Sequence, residues 1–167
     1  TPEDKNFETA AKALEKLVPA DIQSLEPGQQ RYSQFLNEDG GILDDLMISR
    51  LGMEGYDHVL YLVVNAGCKD ADYAHLEKHM PDNVKVSVKD DTLSLIALQG
   101  PRAAHVLACL APDVEKLTFM THTDLELKGT LGAPVWAHVS RSGYTGEDGY
   151  EISAKHDDMV RLVEELL

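Results

Sequence analysis

The sequence predicts an α+β fold. Two observations carry this. Apolar residues recur at three- and four-residue spacing in some short stretches, as on one face of a helix, and run continuously or alternate in others, as in strands. The strands are joined mainly by glycine-containing turns, so hairpins dominate and the helices pack on one face of antiparallel sheets. No GxGxxG or Walker-type phosphate loop is present.

The elements follow in order. Thr1-Pro2-Glu3-Asp4 is read as a helix start, with Thr1 as cap, Pro2 in the first turn and acids at the positive end. Phe7, Ala10, Ala11, Leu14, Leu17 and Val18 form one helical face, and Pro19 ends it. Residues 19–29 are a loop turning at Pro27-Gly28. A hairpin runs from 32–36 through the turn Asn37-Glu38-Asp39-Gly40-Gly41 to 42–48. Residues 58–64 are the most continuous apolar strand, broken by Asn65-Ala66-Gly67 and followed by a helix over 70–80. Alternation predicts a strand at 84–88, and 93–98 is a more buried strand. Pro101 opens a helix to about Leu110. Strands at 121–128 and 135–142 flank a Gly129–Gly132 turn. The glycine-rich loop 143–149, a strand over 150–154 and a helix from Asp157 complete the chain. Two halves of similar hairpin-then-helix content meet near residue 90, giving subdomains at 1–90 and 91–167.

The chain has 167 residues and a formal net charge of −14, from 15 Lys+Arg against 29 Asp+Glu. That length is about one domain and is enough to bury a core without disulfide or metal. With 43% hydrophobic and 26% charged residues it is a globular sequence rather than a disordered one. The acidic balance argues against nucleic acid or an anionic membrane as the main partner. No apolar run is long enough to span a bilayer. Cys68 and Cys109 form no CxxC pair, and no Cys/His spacing matches a zinc site, so no metal is expected and a reducing compartment fits. The chain opens without Met and stops at Leu167 inside an apolar helical pattern, which reads as an internal piece of a longer protein.

Three stretches are candidates for chemistry. Asp44-Asp45 lie in the otherwise apolar strand Ile42–Ile48. Strand neighbours point to opposite faces, so one acid faces inward, at a cost of several kcal/mol unless it is paired or meets a ligand. The alternative is an edge-strand charge with an Asx turn. Asn65 ends a strand as a turn former, or presents its donor and acceptor to a heterocycle. Gly143 to Glu151 combines three glycines spaced by three with Tyr144, Tyr150 and acids. It is either a plain hairpin or a place where backbone approaches a ligand closely and tyrosines stack on it. His75 and His79 have metalloprotease spacing without its Glu and are read as a solvated helix face. Cys68 is read as a structural thiol, Trp136 as core, and Ser142 sits in no nucleophile elbow.

These stretches give the sequence a clear resemblance. Asn37-Glu38-Asp39-Gly40-Gly41-Ile42-Leu43-Asp44-Asp45, Val63-Val64-Asn65-Ala66-Gly67-Cys68, Leu98-Gln99-Gly100-Pro101, Phe119-Met120 and Gly143–Glu151 resemble, in order, the aminomethyltransferase (T protein) family of the glycine cleavage system. The resemblance covers nearly the whole chain from Tyr32 on and, more loosely, the first helix. It implies a folate-binding α+β fold of two subdomains, with the family's C-terminal barrel domain absent from this chain. It implies tetrahydrofolate as co-substrate and the lipoylated H protein as partner. Ammonia is released from the aminomethyl-dihydrolipoyl arm, and the one-carbon unit becomes 5,10-methylenetetrahydrofolate.

Position by position, the resemblance makes Asp45 the catalytic carboxylate. A fixed negative charge there stabilises an iminium-like cation as sulfur leaves, and accepts a proton from the attacking amine. Asn65 and Glu151 match pterin-contacting positions, and a carboxylate suits the donor-rich amino-pyrimidine edge. Tyr32 and Tyr144, with Phe119 and Met120, match lining positions. Two other members of the wider family come into consideration. One is a non-catalytic folate-binding relative in iron–sulfur assembly, which carries a Cys-containing motif where this chain has Gly143-Tyr144-Thr145-Gly146-Glu147. The other is the folate module of a sarcosine or dimethylglycine dehydrogenase. The family occurs in bacterial cytoplasm and the mitochondrial matrix; the cytoplasm is preferred on sequence alone.

Overall fold

The computed structural model describes residues 1–167 and is α+β, as the hairpin-rich sequence requires. It divides into two compact units, Thr1–Val88 and Lys89–Leu167.

The first unit holds α1 (Phe7–Leu14), β1 (Gln30–Leu36), β2 (Ile42–Arg50), β3 (Leu60–Val64) and α2 (Lys69–His79). The strands form one antiparallel sheet in the order β1-β2-β3. Phe7, Ala11 and Leu14 of α1, Phe35 of β1, Leu46 and Ile48 of β2 and Leu76 of α2 share one core. Leu17 and Val18 join that core from beyond the helix. The helix starts later than the sequence suggests. Asn6 caps it, accepting from the Glu8 amide at 3.1 Å, because the segment before it is used otherwise. Pro2 bridges Val84, the Glu3 amide donates to Asn83 O, and Thr1 and Lys85 exchange backbone bonds. This also corrects the strand expected at 84–88: its one ladder contact is the Val84 bridge.

The second unit holds β4 (Leu93–Gln99), α3 (Ala103–Ala108), a 3₁₀ turn (Pro112–Lys116), β5 (His122–Leu127), β6 (Val135–Ser140), β7 (Gly149–Lys155) and α4 (His156–Leu166). Its antiparallel sheet runs β4-β7-β6-β5. Val135, Ala137 and Val139 of β6 and Tyr150, Ile152 and Ala154 of β7 face Leu107 of α3 and Leu162 of α4. The helix after Pro101 is shorter than expected, ending before the 3₁₀ turn opened by Pro112. Trp136 is not core. It alternates out of step with Val135 and Ala137 and is 55% exposed.

Candidate functional site

Alternation along β2 separates the two acids. Asp44 shares a face with the core residues Leu46 and Ile48, whereas Asp45 shares the opposite face with Met47. Register places Asp45 opposite Gln34 and Met47 opposite Tyr32 on β1. The Tyr32 hydroxyl donates to Asp45 Oδ2 at 2.8 Å. Asn65, just past the end of β3, reaches both acids with its amide nitrogen: 2.5 Å to Asp45 Oδ1 and 3.0 Å to Asp44 Oδ1. One amide thus fixes two carboxylates that face apart. A carboxylate has about four lone-pair positions, so Asp45 keeps acceptor capacity beyond these two bonds.

The inward acid of the pair is Asp44, and it meets a partner rather than a cavity. Asp72, in the first turn of α2 and 3% exposed, is hydrogen-bonded to it. Neither acid's Oδ2 has another donor. Two carboxyl groups hydrogen-bonded to each other share a proton instead of both ionising. Burial, the bond to Asp44 and the charge of Asp44 push Asp72 up to about 7. Burial also raises Asp44, but bonds from Asn65, Asp72 and the Asp45 and Asn65 amides outweigh it, and the net shift is downward. Asp72 therefore carries the proton and Asp44 the charge. That charge, then burial and Asp72, raise the Cys68 thiol, so Cys68 is not an activated nucleophile.

In the second unit Glu151 is buried on β7, and its Oε2 accepts from the Ser142 hydroxyl at 3.0 Å, next to Ser140. The glycine-rich loop closes on protein. The Gln99 amide donates to Ser142 O at 3.0 Å and Tyr150 O at 3.1 Å. A Cβ on Gly143 or Gly149 would lie well inside contact distance of the Gln99 side chain. The close approach these two glycines permit is thus to Gln99. Arg141 clamps the same loop through a fork to Asp148 at 2.9 and 2.6 Å. Its third nitrogen donates to Leu117 O.

The loop's two tyrosines differ in exposure. Tyr144 is 66% exposed, whereas Tyr150 is core and donates to Val114 O at 3.2 Å. Phe119 is 74% exposed, on a turn held by the Thr121 hydroxyl to Thr118 O. Met120 follows at φ 62°, a left-handed conformation uncommon for a side chain-bearing residue, with its amide on Arg141 O.

The structure therefore brings Tyr32, Asp45 and Asn65 together in the first unit. Phe119, Met120, Tyr144 and Glu151 belong to the second. Sequence reasoning missed Asp72 and Gln99. A polar residue inside a strand end (Gln99) and an acid four positions before Leu76 on the same helix face were the available signals. His75 is not on a solvated face: it is half-buried and meets Phe35 edge-on at 5.6 Å.

A family model described as "GCVT N-terminal domain" matches residues 8–167. The chain belongs to that family. Among curated relatives, the mitochondrial aminomethyltransferase of Solanum tuberosum is 43% identical over 161 residues, covering 92% of this chain and 37% of the relative. That of Canis lupus familiaris is 45% identical over 163 residues, covering 93% and 38%. The crystal structure of glycine cleavage system aminomethyltransferase T from Bartonella henselae superimposes with a TM-score of 0.77 at 37% identity, covering 95% of this chain and 40% of that one. The chain thus spans well under half the length of these GCVT-family proteins. No helix in it is long and apolar enough to cross a membrane.

Proposed function

We propose that the protein containing this chain is an aminomethyltransferase of glycine cleavage. It would take the aminomethyl group from the dihydrolipoyl arm of H protein to tetrahydrofolate. In the overall reaction the methylene carbon loses its bonds to sulfur and nitrogen and gains bonds to N5 and N10 of the folate. The two N–H protons given up by the folate end on the thiol and on ammonia. The observation that carries this reading is the Tyr32–Asp45–Asn65 cluster. It holds a carboxylate in fixed orientation on the sheet face away from the core, with acceptor capacity to spare.

Such a carboxylate suits a reaction in which positive charge develops beside an amine that must lose a proton. It stabilises the charge without reorganising and accepts the proton. Tyr32 and Asn65 keep it aimed, and Asn65 also offers its amide oxygen to a heterocycle. Glu151, buried with a neutral serine as donor, suits two N–H groups of an amino-pyrimidine edge. Tyr144 and Phe119 offer exposed aromatic surface, and half-buried Met120 a smaller apolar one, for the rest of the folate. The names of the relatives support the transferase over the iron–sulfur and dehydrogenase alternatives. Their mitochondrial names favour the matrix over the cytoplasm preferred on sequence alone.

Calorimetric titration of the full-length protein with tetrahydrofolate tests the reading. Saturable one-site binding is expected, weakened about tenfold or more by Glu151→Gln and by Asn65→Ala, as for loss of a charge-assisted or bridging bond. No binding at millimolar folate would contradict it.

A further inference from the structure

The β5–β6 hairpin of the second unit carries a side-chain cluster that folate chemistry does not use. On β5, His122 and Asp124 are two residues apart and share the sheet face opposite Leu125 and Leu127, which pack on the core. On β6, His138 is the register partner of Asp124, and Ser140 that of His122. His138 Nδ1 lies 3.0 Å from Asp124 Oδ1. The His122 and His138 rings stand 4.6 Å apart, tilted by 38°. One potential ligand atom from each of the three residues lies within 4.8 Å of the other two. His122 is only 4% exposed, and the His138 and Asp124 side chains 14% and 15%. These groups are thus partly withdrawn from water on a rigid hairpin rather than scattered over a surface.

We propose that His122, Asp124 and His138 form a binding site for a borderline divalent cation of the zinc class. Two imidazoles and one carboxylate suit Zn²⁺ and its neighbours Co²⁺ and Ni²⁺. Mg²⁺ and Ca²⁺ prefer oxygen ligands throughout. Ligands about 2.1 Å from a tetrahedral zinc are about 3.4 Å from each other. The His138–Asp124 separation, 3.0 Å, is already close to that, and the other two separations are no more than 4.8 Å. The fourth position falls to water, because the hairpin supplies three ligands. For binding, the proton between His138 Nδ1 and Asp124 moves to Nε2 or to solvent, freeing Nδ1 and Oδ1 for the ion. Sequence spacing does not reveal this set, because the ligands converge through hairpin register and not along one helix or knuckle.

The test is a Co²⁺ and then Zn²⁺ titration of untagged, chelator-treated full-length protein. One equivalent per chain is expected, at micromolar affinity or tighter. Co²⁺ should show the visible absorption of a low-coordinate site, and Zn²⁺ should raise Tm. Asp124→Asn and His138→Gln should weaken binding at least tenfold and abolish the Tm shift. His105→Ala, on α3, should leave both unchanged. Because a strand variant can fail to fold, proton NMR of the unmutated protein gives a second reading. Co²⁺ should shift and broaden the ring resonances of His122 and His138 before those of any other histidine. Absence of binding at 1 mM Zn²⁺ would overturn the site. So would first effects at any other histidine, or binding indifferent to both substitutions.

Discussion

Adjacent strand residues point apart, so Asp44 and Asp45 have different neighbours and different chemistry. Asp45 is oriented by Tyr32 and Asn65 on the face away from the core, and Asp44 is locked to Asp72 on the other. The paired acids are visible in the sequence because they interrupt an apolar strand. Asp72 is not, because α2 is polar enough that only Asp72 and Leu76 are buried along it. Its partner is fixed by tertiary packing, not by local pattern. The shared proton has a consequence for stability. Asp72 titrates near 3.8 when unfolded and near 7 when folded. A raised folded-state value means its contribution is fully present below about pH 4 and is lost as pH rises through about 7. Denaturant titrations across that window should therefore show stability falling with pH more steeply in the unmutated protein than in Asp72→Asn, where the amide donates to Asp44 without titrating. Parallel profiles would show that Asp72 does not hold this proton.

At the scale of elements, turns and apolar alternation gave nearly every strand, since register follows from which face is buried. The exception is instructive. Residues 84–88 alternate like a strand, yet the chain beside them is Thr1–Glu3, which gives a single bridge and no ladder. Alternation reports a half-buried extended segment, not a hydrogen-bonding neighbour. The glycine-rich loop teaches the same point. Its glycines are recognisable, but their reason, the Gln99 side chain beneath Gly143 and Gly149, comes from another strand. Gly143→Ala should cost about 1–3 kcal/mol, as overpacking does. Gln99→Ala should remove part of that cost, so the double variant is more stable than the two single changes sum to, in a denaturation-based double-mutant cycle. Additive losses would mean that Gln99 is not what the added methyl group meets.

Over the whole molecule, the fold rests on two separate cores, one per unit. The fold class follows from the sequence because both cores are built from hairpins with helices on one face. The trace of the ends does not, since Thr1–Glu3 pairs with Asn83–Lys85 through backbone groups that no side-chain pattern marks. Phe35 is the largest fully buried side chain of the first core. Phe35→Ala should destabilise by about 3–5 kcal/mol in denaturant titration, the cost of a large core cavity. A loss under 1 kcal/mol would contradict that packing. The catalytic role of Asp45 is read out by single-turnover formation of 5,10-methylenetetrahydrofolate from aminomethyl-loaded H protein. The full-length protein should form product. Asp45→Asn should bind tetrahydrofolate within a few-fold of normal yet form product about 10²–10⁴ times more slowly, as expected when a charge-stabilising proton acceptor is removed. Unchanged turnover in Asp45→Asn would show that this carboxylate has no part in the chemistry.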